Sequence, residues 1–391
     1  MRKFLIATPD DILAGKTTDV YFERTIRILE AKNIHKRVKA EFTAKRLPKG
    51  YDWAIFAGLS EVLHLLEGKP LTVRALPEGS VFYPDEPVLE IEGDYLDFSV
   101  YETPILGLIC HASGIATKSA RCRKAANDKL LVSFGARRIH PALAPMLAYY
   151  TYMGGADGVA TIAGAATLDI TPTGTMPHAL ILILGDVVEA TKSFDETIPP
   201  DVPRIALIDT LSDERDETLR VVTALKDKLT GVRFDTPFSR RGNFAKLIDE
   251  VRWELHVRGF DNIKIFASGG IDEYSILELT PYVDGFGVGT SISNAKVIDF
   301  AMDIVEIDGQ PIAKRGKKSG SKSIYECTHC GRRVVELYNQ RPYCDCGTPM
   351  KDLLQVYMKD GKLVTQLPSI HDIRKKVIFE LKRLPNIKEN N

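Results

Sequence analysis

Four cysteines within twenty residues, Cys327-Thr328-His329-Cys330 and Cys344-Asp345-Cys346, are the densest group of metal-ligating side chains in the sequence. A C-x₂-C pair, a spacer of hairpin length and a C-x-C pair match the spacing of a tetrahedral thiolate site. Four thiolates close the coordination sphere, so the spacing predicts a structural zinc ion with no open position for water. Iron is the lesser alternative, and His329 stands by as a spare ligand. Cys110 and Cys122 sit in apolar or helical contexts and read as buried thiols rather than a disulfide.

Two glycine loops are the second candidate. Ala267-Ser268-Gly269-Gly270-Ile271-Asp272 sets a glycine pair between a strand-like and a helix-like segment. Gly287-Val288-Gly289-Thr290-Ser291 repeats the arrangement one unit later. Amides freed by glycine at a helix N-terminus cradle a phosphate dianion. One such turn is routine between strand and helix; two in adjacent late units predict a phosphate-bearing ligand. Gly135-Ala136-Arg137-Arg138 closes an earlier strand. A guanidinium turned inward there suits a carboxylate or phosphate fork, and one turned outward is merely solvated. Asp157, Asp209 and Asp235 lie at comparable positions. Singly, each reads as a cap or turn residue; together they suit Mg²⁺, ribose hydroxyls or a developing cation. His178, in Gly174-Thr175-Met176-Pro177-His178, follows a Gly-Thr loop and precedes an apolar run. Its plain alternative is a satisfied structural histidine.

The elements that must position these groups are legible as a change of rhythm. Residues 1–125 form a helix start near Thr17 to Asp19, alternating strand segments at 38–42, 71–75 and 88–93, a helix near 56–66 and a helical stretch over 101–126. Over 126–300, strand-like segments recur at 130–134, 158–161, 179–184, 204–208, 231–234, 263–267 and 285–288, most followed by helical patterns. That spacing, roughly 25 to 30 residues per unit, predicts βα repeats closing into an irregular α/β barrel, whose active face lies at the C-terminal strand ends. Residues 301–391 return to short strands, pass through the cysteines and end in a helix over 369–384, with Ser369 as cap and Pro385 as stop.

Composition removes other classes. Acidic and basic side chains balance at 52 each over 391 residues, so no global field favours nucleic acid or a membrane surface. No apolar run approaches membrane-spanning length, and the start of the chain is too short for a signal peptide, which predicts a cytoplasmic protein. The basic run Lys314–Lys322 reads as a solvated loop. Its rival, from another class, is the contact surface of a zinc-containing nucleic-acid-binding protein, which strongly salt-dependent binding would reveal.

In order along the chain, Phe134-Gly135-Ala136-Arg137-Arg138, Gly154-Gly155-Ala156-Asp157-Gly158, Gly174-Thr175-Met176-Pro177-His178, Val232-Arg233-Phe234-Asp235 and the two glycine loops resemble the motif series of nicotinate phosphoribosyltransferases. Thr18-Asp19-Val20-Tyr21 looks like that family's opening motif, so the resemblance covers about residues 10–300. It implies a type II phosphoribosyltransferase fold: a β-rich N-terminal domain on an irregular α/β barrel, here with a small zinc-knuckle-like segment at the C-terminus. It implies a reaction of nicotinate with phosphoribosyl pyrophosphate that gives nicotinate mononucleotide and pyrophosphate, driven by ATP hydrolysis, in NAD biosynthesis.

By the same resemblance Arg138 pairs with the nicotinate carboxylate. Tyr21, donated by the neighbouring subunit of a dimer-based homo-oligomer, stacks on its ring. Gly269, Gly270, Gly289 and Thr290 hold the ribose 5-phosphate, with Ser268 in the same substrate-binding set, Asp209 and Asp235 lie near the ribose, and Arg233 lies near the phosphates. Asp157 and Thr175 belong to the same substrate-binding set, and His178 resembles the histidine that this family phosphorylates from ATP. Such chemistry builds cationic character on the ribose while Mg²⁺ neutralises the leaving pyrophosphate. The tetracysteine tail is not a general family feature. The nearest rival is quinolinate phosphoribosyltransferase, which binds a dicarboxylate, loses CO₂ and calls for a denser basic pocket. Nicotinamide is a second competing substrate. An aldolase-type barrel would want a lysine at a strand end, and these strands offer none.

Overall fold

Six short parallel strands build the sheet that carries both glycine loops: β1 Leu130–Ser133, β2 Gly158–Val159, β3 Ile205–Leu207, β4 Gly231–Phe234, β5 Lys264–Ala267 and β6 Gly285–Val288. Leu131, Val132, Ala206, Leu207, Val232, Phe234, Ile265, Ala267, Phe286 and Val288 are all buried. Near-continuous apolar strands of this kind belong to parallel sheets covered on both faces. The helices Glu214–Leu225 and Phe244–Val257 bury one stripe each, Val221, Val222 and Leu225 in the first and Ile248, Val251 and Leu255 in the second.

The strand order is β2-β1-β6-β5-β4-β3, with Phe286 opposite Leu131 and Ile265 opposite Val232. Neighbours thus follow chain order around a ring that is interrupted once, between β2 and β3. The expected seven-stranded barrel is corrected to an open half-barrel of six strands. The segment read as a strand over 179–184 is a helix, His178–Leu184, lying in the chain at that interruption. An unbroken run of six apolar residues carries no period, so sequence alone does not separate strand from helix there. Pro177 opens the helix and Gly185, at φ 79°, ends it in the left-handed conformation. Only Ile181 of this helix is buried; Ile183 is 81% exposed.

The computed structural model describes residues 4–387 in two units. The unit just described comprises Lys118–Ala295 and the chain from Val377 on; the other comprises the chain to Thr117 and Lys296–Lys376. The second unit is built on a seven-stranded sheet in the order Gln310–Pro311, Phe300–Ile307, Arg37–Ala44, Pro87–Asp94, Thr72–Ala75, Gln355–Lys359, Lys362–Leu363, with antiparallel neighbours. Val38, Ala40 and Phe42 alternate into the core, where Phe42 faces Leu89 across the ladder. Glu41, on the opposite face, is also buried, because Lys322 covers it with an ion pair at 2.9 Å. Lys322–Cys327 is the central strand of a three-stranded sheet, between Arg333–Leu337 and Met350–Asp352, that carries the cysteines. Among the described residues, no helix is long and apolar enough to cross a membrane.

Candidate active site

The C-terminal ends of the parallel strands converge on a cleft of about 540 Å³. Gly269 and Gly270 follow β5 with φ +79° and +67°, left-handed conformations that strain any residue with a Cβ. Phe134 follows β1 and lays its ring against β6, so a Cβ on Gly287 would come within 2.3 Å of the ring. That close approach brings the Arg137 and Arg138 turn into the same cleft as Gly289 and Thr290. The segment Gly174–His178 adds the remaining wall, together with Thr161 after β2.

Carboxylates and hydroxyls form a chain beneath this surface. The Asp209 side chain is 1% exposed, receives the Asp235 amide at 3.0 Å and lies 3.2 Å from His178 Nε2. Burial pushes its pKa up, an effect opposed by His178 and reinforced by the nearby Asp235. Asp235 in turn accepts from the Ser268 hydroxyl at 2.7 Å. Arg233 donates to the Met176 carbonyl at 3.2 Å and lies over the Phe134 ring, 5.6 Å from its centroid. Its Nε is buried without a protein partner among the described residues. Burial lowers its pKa, and an unmet buried donor beside a cleft favours an anionic ligand. Behind the glycine pair, Arg241 ties two strand-end loops together by donating to the carbonyls of Gly269 and Thr236.

The structure therefore gathers Arg138, Thr175, His178, Arg233, Asp235, Ser268, Gly269, Gly270, Gly289 and Thr290 around one cleft. Asp209 lies one hydrogen bond behind His178. Asp157 stands apart: it precedes its strand rather than following it, so it lies at the opposite end of the sheet. Its carboxylate is taken up by Arg123 and by the Leu131 amide at 2.8 Å. Tyr21 belongs to the β-rich unit, on the exposed side of helix Val20–Ala31, with its hydroxyl 3.4 Å from Asp19. Phe134 stands in the sequence only as a letter of its motif with no role of its own, and Thr161, Glu217 and Arg241 escaped sequence reading. The first two carry no chemistry of their own, and the last two act on backbone groups, which leaves no motif to find.

The cysteines also come together. The Sγ atoms of Cys327, Cys330, Cys344 and Cys346 all lie within 4.8 Å of one another, with Cys327–Cys346 and Cys330–Cys344 at 3.5 Å. Zinc–sulfur bonds of about 2.3 Å place tetrahedral thiolates about 3.8 Å apart, so the donor set fits such an ion.

Comparison with known proteins agrees with this architecture. The N-terminal domain model of quinolinate phosphoribosyl transferase matches residues 19–113, and the C-terminal domain model matches residues 115–303. The crystal structure of nicotinate-nucleotide pyrophosphorylase from Pyrococcus furiosus is 51% identical, with a TM-score of 0.95 over 98% of this chain and 99% of that one. A nicotinate phosphoribosyltransferase of Mycobacterium tuberculosis is 30% identical over 81% of this chain and 74% of its own length. Human nicotinic acid phosphoribosyltransferase, at 21% identity and a TM-score of 0.74 over 94% of each chain, shares the fold.

These findings correct the expected nicotinate-specific, ATP-coupled assignment. Both matching domain models describe the quinolinate enzyme, and the 51%-identical structure is a nicotinate-nucleotide pyrophosphorylase, whereas the curated nicotinate transferases are 25% to 33% identical, the last over only 49% of this chain. Phosphorylation of His178 and the use of ATP lose their basis with that assignment. What stands is a glycosyl-transferring enzyme of NAD biosynthesis: the chain belongs to the quinolinate phosphoribosyl transferase family and is a phosphoribosyltransferase.

Proposed function

We propose that the cleft transfers the phosphoribosyl group of phosphoribosyl pyrophosphate to quinolinate. The pyridine nitrogen attacks the anomeric carbon, the C–O bond to pyrophosphate breaks, and nicotinate mononucleotide forms with loss of CO₂. The observation that carries this reading is the pairing of Arg137 and Arg138 in one cleft with the glycine loops and Arg233. Two adjacent guanidinium groups suit two ring carboxylates, where a monocarboxylate needs one. Gly269, Gly270, Gly289 and Thr290 would offer backbone amides to the 5-phosphate. Asp235 would face the cationic ribose, with Asp209 held behind His178, and positioning of two anionic substrates would supply much of the rate. Asp235, with the substrate's own phosphates, would also suit Mg²⁺, an oxygen-seeking ion that neutralises the leaving pyrophosphate.

Decarboxylation leaves an electron pair at the ring carbon beside the quaternised nitrogen, and a proton must then be delivered there. His178, 40% exposed at its side chain and in the cleft wall, is the titratable donor nearest in kind to that task. In the other unit, the four cysteines would hold one zinc ion with no open position, a structural role.

The test is an assay of the purified protein with phosphoribosyl pyrophosphate, Mg²⁺ and each base in turn, with and without ATP. One CO₂ released per nucleotide formed from quinolinate, unaffected by ATP, is the expected result. Turnover of nicotinate with none of quinolinate would sink the reading. Arg137→Ala should raise the KM for quinolinate at least about tenfold, the loss of one charge-assisted contact.

A further inference from the structure

We propose that Glu217 is a positioning residue for phosphoribosyl transfer: it clamps the loop after β3 so that Asp209 is presented to His178. The inference rests on the functional reading above. Helix Glu214–Leu225 begins with Asp213 as its cap and carries Glu214, Asp216 and Glu217 in its first turn. Acids there favour a helix N-terminus in general, yet these have different fates. Asp216 is exposed, Glu214 accepts from the Thr236 hydroxyl at 2.7 Å, and Glu217 is fully buried.

The Glu217 carboxylate turns back onto the loop that precedes its own helix. It accepts three consecutive amides, from Thr210 at 3.2 Å, Leu211 at 2.8 Å and Ser212 at 3.0 Å. Asp209 is the residue immediately before that run. On its other side the Ile208 amide is held by the Arg233 carbonyl at 3.3 Å. The backbone of Asp209 is thus gripped from both directions, and its carboxylate meets His178 and the Asp235 amide. An ordinary N-cap needs one acceptor for one or two amides. Three amides on a carboxylate that already lies within its helix fix the shape of the loop. Glu217 is absent from the cleft wall, so its effect passes through Asp209.

The experiment compares Glu217→Ala, Glu217→Gln, Asp209→Asn and the double variant Glu217→Ala/Asp209→Asn in the quinolinate assay, with melting temperature and amide exchange of residues 205–216. Misplacement of a reacting constellation by about 1 Å costs on the order of 10²-fold in rate. Glu217→Ala should therefore lower kcat about 100-fold while KM for phosphoribosyl pyrophosphate moves less than about threefold. Glu217→Gln keeps the oxygen that serves Leu211 and Ser212 and should recover most of the loss. The double variant should be no slower than Asp209→Asn alone, because residues acting in series do not add.

Lowered melting temperature with unchanged kcat, or losses that multiply in the double variant, would show a merely structural role. If the wild-type protein transfers no phosphoribosyl group, the functional reading falls by itself. The clamp is then judged on exchange: faster exchange at 210–212 in Glu217→Ala upholds it, and unchanged exchange removes it.

Discussion

Asp209 in the α/β unit and Glu78 in the β-rich unit are both carboxylates whose pKa is pushed up chiefly by burial, and they answer to different neighbours. The Glu78 carboxylate serves the start of helix Leu59–Leu66: one oxygen accepts the Gly58 amide at 2.7 Å and the Leu59 amide at 3.2 Å, and Ser60 bonds to the same carboxylate. Asp209 instead reaches His178 and Asp235, which line a cleft. A perturbed carboxylate marks a reactive site only where its hydrogen bonds lead to a cavity. Where they end in a helix cap, the same perturbation is architecture. The cysteine cluster belongs with Glu78 on this view: four donors that face one another leave nothing over for a substrate.

The largest effect should come from that cluster. Structural zinc in small thiolate sites contributes on the order of 10 kcal/mol of apparent folding free energy. Chelation, or Cys327→Ser with Cys330→Ser, should therefore release one zinc per chain and expose the amides of Lys322–Cys327 and Arg333–Leu337 to exchange. Metal analysis together with hydrogen exchange checks this. A protein that holds no zinc and protects those strands equally well would place the cysteines outside the architectural class.

Next come two aspartates of the α/β unit that sequence reading placed together. Asp235→Asn should lower kcat/KM about 10³-fold, or about 4 kcal/mol of transition-state stabilisation, with the melting temperature nearly unchanged. Asp157→Ala should do the reverse. It takes from Arg123 its carboxylate partner, at a cost of about 3 kcal/mol in stability, while kcat/KM of the folded protein holds. Kinetics and thermal melts on both variants decide whether strand polarity sorts function from structure here. Equal kinetic losses would erase the distinction.

That pair also shows what the sequence made legible. Glycine pairs, the Arg137-Arg138 turn and His178 announced themselves because their chemistry and local order are written in adjacent letters. Asp157 misled because the residue itself does not say which end of a two-residue strand it occupies. The run 179–184 misled for a related reason: six apolar residues suit either element, and the closure of a ring depends on partners far along the chain. Glu217 and Arg241 were invisible, since both grip backbone atoms and only the folded loops bring those atoms to them. Specificity for one pyridine acid over another was hardest, because two neighbouring arginines read alike whether one or both enter a cleft.

The smallest effect concerns Glu78. Its carboxyl is pushed up to about 7 from an ordinary 4.5, with burial the main cause and the Gly58 amide opposing it. The folded state then holds a proton that the unfolded chain releases near pH 4.5. Stability from this group is present below that value and is lost as pH rises towards 7, by up to about 3 kcal/mol. Gln at this position keeps an oxygen for both Gly58 and Leu59 and cannot ionise. Glu78→Gln should therefore flatten the fall in stability between about pH 5 and 7 and melt higher than the wild type at pH 8. Denaturant titrations across that range are the check. A slope that survives in Glu78→Gln would mean that another group carries it, and that Glu78 keeps its charge through contacts beyond the cap.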